Sequence, residues 1–144
     1  MSVPTDKRDE SDVLFKTIPQ RIYNEMAERF AKMPGRYKDA YYTPILKYML
    51  EVVDNVNYAN ILSVETDFEE RHKLLHKARH YVALAAKLTD GALKTCNVRP
   101  KGRKYVPDGT KRDWFTSLEK EINLLGGVMD ADRAKYQRYI NAKG

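Results

Sequence analysis

The chain has 144 residues, with 26 Lys or Arg against 20 Asp or Glu, a net charge of +6. Its 42% hydrophobic content suits a buried core and argues against disorder throughout. Its 32% charged content, with no apolar run near the roughly 20 residues of a spanning helix, excludes a membrane-spanning protein.

The first segment, residues 1–12, is polar and of mixed charge and reads as a flexible leader without an apolar signal stretch. The default compartment is then the cytoplasm. From Leu14 the apolar spacing becomes helical: Ile18, Ile22, Met26, Phe30 and Met33 recur every three or four positions. Thr17 is the expected N-cap, placing Pro19 in the first turn, and Met33-Pro34-Gly35 closes the helix. A second helix is expected to begin between Arg36 and Pro44. Leu46, Leu50, Val53 and Asn57 run along one side of it, with Met49, Val56 and Asn60 beside them. The third spans about Asp67 to Leu88, with a buried stripe of Leu74, Ala78, Tyr81, Ala85 and Leu88 flanked by Leu75 and Val82. Asp90-Gly91 ends or weakens it, and Ala92-Leu93-Lys94 offer one further turn.

Residues 97–112 differ from the rest. Arg99, Lys101, Arg103, Lys104, Lys111 and Arg112 face the single acid Asp108, so this segment holds +5 of the chain's +6. Pro100, Gly102, Pro107, Gly109 and Tyr105 are interleaved with the charges. Such an arm suits a phosphate backbone, with Tyr105 placed to stack on a base or to pack on a protein; the alternative is a solvated basic loop. A fourth helix follows from about Arg112 to Asp130, with the stripe Trp114, Leu118, Ile122, Leu125 and Met129. A basic tail over residues 132–144 extends it. With no β-alternation, the expected architecture is all-α, an antiparallel four-helix bundle with a basic inserted loop between helices 3 and 4.

The histidines fall at His72, His76 and His80, an i, i+4, i+8 series on the third helix. Eight residues of helix rise about 12 Å, so one metal cannot hold all three. On a helical wheel they lie opposite the expected core stripe and share that outer face with Lys73, Arg79 and Lys87. This is either a solvated face or a basic strip that meets phosphate or an acidic partner. The acids Asp67, Glu69 and Glu70 suit the dipole at the start of the third helix. Cys96 is the single cysteine, which excludes an internal disulfide and a multi-thiolate zinc site; nearby cations are expected to lower its pKa. There is no glycine-rich phosphate loop, no His-Glu-x-x-His and no nucleophile beside a recognisable base, so neither catalytic nor metal-ligating residues nor a cofactor are expected.

Three elements together resemble one family: Met33-Pro34-Gly35-Arg36-Tyr37-Lys38 before helix two, Lys77-Ala78-Arg79-His80-Tyr81-Val82-Ala83-Leu84-Ala85 on helix three, and Leu124-Leu125-Gly126-Gly127-Val128-Met129 on helix four. The pattern is similar to the accessory variability determinant proteins of diversity-generating retroelements. These are a branch of the bacterial four-helix-bundle proteins that also includes those encoded in ribosomal RNA intervening sequences. The likeness covers about residues 15–131 apart from the inserted arm. It implies a pentameric, non-catalytic subunit with a positive surface that engages the reverse transcriptase, template RNA and cDNA during mutagenic retrohoming. By position, Arg79 matches the first basic residue of the family's helix-three pattern. Ala83 stands where the second is expected, Lys87 lies a turn further on, and Asn123 stands where arginine is frequent. The Leu-Gly-Gly element implies close helix approach. Arg36, Lys38, Lys73, Arg79, Lys87, Arg99, Lys101, Arg103, Lys104, Tyr105, Lys111 and Arg112 are the expected binding residues. Leu124 with Val128, and Tyr41 with Val52, are candidates for an apolar oligomer face. The other reading is an oligomeric helical scaffold that grips an acidic protein partner without a nucleic-acid role.

Overall fold

The computed structural model describes the backbone of residues 5–144 and the side chains of residues 15–144. The first helix, α1 (Thr5–Phe30), buries Phe15, Ile18, Ile22, Met26 and Phe30 along one face, and Met33 is buried just beyond it. It begins at Thr5 rather than at a Thr17 cap, so Pro19 lies in its interior. Pro19 has no N–H for the Phe15 carbonyl, a defect worth roughly 3 kcal/mol in a helix interior. Phe15, Ile18 and Pro19 are all buried, and their packing holds the helix across that gap. The expected leader falls on residues whose side chains, and for 1–4 the backbone also, lie outside the described residues.

Past Pro34 the chain makes a 3-10 turn (Gly35–Tyr37) and a π-helical turn (Lys38–Tyr42) before α2 (Thr43–Ile61). The π turn has a local cause. Pro44, in the first turn of α2, can neither donate to the Ala40 carbonyl nor fit against it. The backbone widens there, and the Thr43 N–H bonds Lys38 O one residue further back than in an α-helix. The buried face of α2 is Ile45, Met49, Val52, Val53, Val56 and Ala59. Of the expected Leu46/Leu50/Val53/Asn57 side Val53 is buried, Leu46 is half-buried, and Leu50 and Asn57 are exposed, so that side is mostly the margin. Val52 is fully buried and is no part of an outer apolar face.

The third helix, α3 (Phe68–Cys96), runs through Asp90 and Gly91 to Cys96 because Ala92, Leu93 and Cys96 continue its buried face. Its core positions are Leu75, Ala78, Val82, Ala85 and Thr89. Leu74, Tyr81 and Leu88, expected at the centre, are half-buried flanks. The fourth, α4 (Asp108–Lys143), begins one turn earlier than the Arg112 expected and continues through the basic tail. Trp114, Leu118, Leu125 and Met129 are buried as expected. Ile122 is only half-buried, and its neighbour Glu121 takes the interior place. Among the described residues there is no strand, and no helix is long and apolar enough to cross a membrane.

Each of α1 and α3 packs on both α2 and α4. At one end, the Phe30 ring stacks on Tyr42 at 5.0 Å and meets Trp114 edge-on at 6.1 Å. On α1, Arg21 donates to Asp113 (2.9 Å) and Ser117 (2.6 Å) of α4. At the other end, Arg71 of α3 is buried and donates through Nε and Nη2 to Asp132 of α4, at 2.6 and 3.3 Å. Its Nη1 donates to the Ala59 carbonyl of α2 at 2.8 Å. Phe68 stacks face to face on Tyr136 at 4.2 Å beside this pair. The acids at the start of α3 had suggested only a dipole role, and the arginine that follows them proves to be the structural element.

Two interior charges yield opposite predictions. Asp132→Asn removes one member of a buried pair and should lower stability by about 3–5 kcal/mol, whereas Arg71→Met with Asp132→Leu should recover most of that loss. Denaturant midpoints check this; equal losses in the single and double variants would show that packing, not charge, holds the site. Glu121 is fully buried and neither carboxylate oxygen has a hydrogen-bond partner, so desolvation raises its pKa from 4.5 to about 9. Between those values the folded chain keeps a proton that the unfolded chain has lost. The stabilisation is complete below pH 4.5 and is lost as pH rises through about 9. Glu121→Gln should flatten the fall in stability between about pH 5 and about pH 9. Denaturation midpoints that fall equally in both proteins would contradict it.

Candidate functional site

The basic segment is shorter and more ordered than its composition suggests. Because α4 starts at Asp108, the connection is residues 97–107, and Lys111 and Arg112 belong to the first turns of the helix. Asn97 clasps its base: the side-chain amide donates to the Val106 carbonyl at 2.9 Å, and its oxygen accepts the Val106 N–H at 2.6 Å. Both residues are buried, so the loop is sewn into the core. A second rung joins the Arg99 N–H to the Arg103 carbonyl at 2.7 Å. Between them, Pro100–Gly102 form a 3-10 turn in which Lys101 (φ 68°) and Gly102 (φ 73°) adopt the left-handed conformation. For a lysine this conformation costs of order 1 kcal/mol and persists only where neighbours impose it.

The cations of the loop divide by their surroundings. Lys104 donates to Asp108 at 2.7 Å, and that contact holds the Asp108 carboxyl below its ordinary pKa. The Arg99 guanidinium lies 5.0 Å from the centre of the Tyr105 ring, and the Tyr105 carbonyl accepts from Arg29 of α1 at 3.3 Å. Tyr105 is half-buried with that ring face covered, so its place is in the loop's packing rather than as a free stacking platform. Arg99, Lys101 and Arg103 are exposed. With Pro100 they line a surface depression of about 270 Å³.

Two connections meet at this end. The Tyr42 hydroxyl donates to the Pro34 carbonyl at 3.1 Å and lies beside Cys96, the last residue of α3, and Arg36 lies close enough to act on that thiol. Arg36 and Lys38 therefore share the end of the molecule with the loop, and Arg36 covers the Tyr37 ring at 4.8 Å. Burial pushes the Cys96 thiol up, outweighing the lowering influence of the neighbouring Tyr42 hydroxyl and Arg36, so the lowering expected from sequence does not occur.

The remaining candidates lie along α3. Lys73, His76, Arg79, His80 and Lys87 are exposed on one strip of the helix, whereas His72 is half-buried against Phe68 with its Nδ1 unpartnered. From Lys73 to Lys87 the strip covers roughly 21 Å of helix, and α3 continues roughly 14 Å further to Cys96 and the loop. Lys73 is thus far from Arg36, and the candidates form one end cluster with a trailing strip. His76, Arg79, His80 and Ala83 of α3, with Ile122 of α4, line a shallow depression of about 230 Å³. Among the described residues no group of three or more His, Cys, Asp or Glu is placed to hold a metal ion.

The glycines of Leu124-Leu125-Gly126-Gly127 do not mediate close backbone approach. A Cβ on Gly126 would meet only the Arg79 guanidinium, at 3.7 Å, and one on Gly127 would meet nothing within 4 Å. Leu124 and Val128, expected on an outer face, are half-buried against the core, as is Tyr41. Among the described residues the large exposed apolar side chains are instead Leu50, Tyr58 and Ile61 of α2, with Val98 and Ile140. No family model matches the chain, and neither a curated protein nor a solved structure matches it.

Gly127→Ala should raise stability by up to about 1 kcal/mol, the helix-propensity difference at an open site. A higher melting temperature checks this, and a lower one would show that a backbone approach does depend on that glycine.

Proposed function

We propose that this chain is a non-catalytic nucleic-acid-binding subunit that accompanies a reverse transcriptase, acting in the cytoplasm on template RNA and its cDNA. The observation that carries the reading is the convergence of Arg36, Lys38, Arg99, Lys101 and Arg103 at one end. Among the described residues none of them forms an ion pair, whereas Lys32, Lys94 and Lys104 nearby are matched by Glu28, Asp90 and Asp108. Unmatched cations that share one end raise the local potential and favour a polyanion. The α3 strip of Lys73, Arg79 and Lys87 adds exposed cations along the side of the molecule.

The architecture proposed with this function is an antiparallel four-helix bundle. Its support is the pairing of positions across helices. Phe68 meets Tyr136, Arg71 meets Asp132 and Arg79 covers Gly126, so α3 ascends in number as α4 descends. Arg21 meets Ser117 and Glu25 meets Trp114 in the same sense, as do Tyr41 with Thr95 and Ala59 with Arg71. The likeness to accessory variability determinant proteins adds the retroelement, mutagenic retrohoming and a pentamer to the proposal. The exposed Leu50, Tyr58 and Ile61 of α2 are the side chains offered to self-association.

Single-stranded RNA should bind with an affinity that falls as salt rises, and Arg99→Glu with Arg103→Glu should flatten the slope of log affinity against log salt by roughly 0.7 per lost contact. Salt-independent binding, or equal affinity in the reversed variant, would overturn the nucleic-acid reading. If RNA binding survives and only an acidic protein partner is lost in a pull-down, the scaffold reading replaces it. Genomic context tests the retroelement assignment: a reverse transcriptase gene with template and variable repeats beside this one supports it, and their absence removes it.

A further inference from the structure

The basic loop is built as a shaped object, and its order is not needed for general attraction to a polyanion. A flexible tether with the same charges would track a phosphate backbone equally well. Here the base is fixed by a buried side chain that occupies both backbone groups of Val106, and the Arg99–Arg103 rung narrows the loop above it. Above that rung the left-handed pair Lys101-Gly102 folds the tip over. Arg99, Lys101 and Arg103 are thereby turned around one small depression, with Pro100 as its apolar wall.

Three like charges around a concavity repel one another, and an anion between them relieves that repulsion while gaining attraction to each. The adjacent Lys104 already has its acid in Asp108, so the surplus is confined to the tip. Arg99 is further restrained by lying over Tyr105. Guanidinium forks match the tetrahedral oxygens of phosphate in pairs, and three cations exceed what a single carboxylate needs.

We infer that the tip of the 97–107 loop is a preformed site for one phosphate ester, assembled from Arg99, Lys101 and Arg103, with Asn97 as the positioning residue that keeps it shaped. That the ester belongs to a nucleic-acid strand rests on the reading above; the phosphate site itself stands on the geometry of the loop.

The test uses the full chain with inorganic pyrophosphate and with short single-stranded RNA carrying either a 5′-phosphate or a 5′-hydroxyl. Saturable movement of the Gly102 amide and of the Arg99 and Arg103 side-chain NMR signals is expected with pyrophosphate and with RNA. Exchanging two neighbours, Lys101→Gly with Gly102→Lys, keeps the charge and moves the amine by one position. No atom lies within 4 Å of a Cβ at Gly102, and the left-handed strain that the lysine meets at position 102 (φ 73°) replaces the strain that the glycine relieves at position 101 (φ 68°), so the exchange is close to neutral for the fold. It should weaken both ligands by about tenfold, ~1.4 kcal/mol. Asn97→Ala, which removes no charge, should do the same, and the exposed exchange decides the matter if that variant does not fold.

Unchanged affinity in the exchange variant would overturn the site and return the loop to a tether. Pyrophosphate bound at the tip without RNA binding would keep the site and remove the nucleic-acid reading. RNA bound without movement of the tip signals would do the reverse. Stronger binding of the 5′-phosphorylated strand assigns the ester to a strand end, and equal binding assigns it to an internal phosphodiester.

Discussion

A guanidinium keeps its charge at any accessible pH, so a chain that buries Arg71 must bring a matched set of acceptors to it. Two helices supply that set: Asp132 from α4 and the Ala59 carbonyl from the last turn of α2, which accepts the Leu62 N–H as well. The demand is geometric as well as electrostatic. A slip of one residue in α3 or α4 would turn one charge outward and leave the other unpaired in the interior. One interaction thus sets the register of α2, α3 and α4 together, and the Phe68–Tyr136 stack closes over the same end.

The opposite end is organised by neutral groups. Asn97 gives Val106 the two hydrogen bonds that a neighbouring strand would have given, and Phe30, Tyr42 and Trp114 fill the interior around it. Since nothing buried there is charged, its lysines and arginines face solvent. Some of them find acids on their own helical turns, such as Lys94 with Asp90. In the two connections Lys104 reaches Asp108 at the start of α4, whereas Arg36, Lys38, Arg99, Lys101 and Arg103 form no ion pair among the described residues. The uneven charge of the molecule follows from that difference, and the proposed interface has its place for the same reason. Glu121 is the interior's unresolved group, a carboxyl kept neutral by its surroundings at a position where the periodicity of α4 asks for an apolar side chain.

The two outer helices in chain order were the most legible. The α1 stripe from Ile18 to Phe30, and Trp114, Leu118, Leu125 and Met129 of α4, are narrow apolar faces that repeat at helical spacing. The middle helices were legible as helices but misread in rotation. Leu46, Leu74, Tyr81 and Leu88 are large apolar residues at the edges of a wide contact, while on α3 Leu75 and Val82, expected as flanks, join the expected Ala78 and Ala85 at the centre. Apolar residues cover more than one face of these helices, so spacing alone leaves the rotation open by one position. In the candidate site, the concentration of charge at residues 97–112 was plain from composition. The Asn97 clasp was not, because a side chain bonding the backbone of residue 106 leaves no periodic trace.

The sequence by itself determined which segments are helical and where the surplus charge lies, since helical spacing and net charge are properties of neighbours along the chain. Tertiary structure alone decided which polar groups lose water. Arg71 and Asp132 are 61 positions apart and look like ordinary surface residues until α3 and α4 meet. Glu121 sits in a polar stretch and becomes a neutral acid only because other helices cover it. The tip of the basic loop is the same case with the opposite sign. Its charges were visible from the start, but their arrangement around one depression depends on a buried asparagine and a left-handed lysine. Desolvation and convergence are set by what arrives from elsewhere in the chain, and no local pattern encodes them.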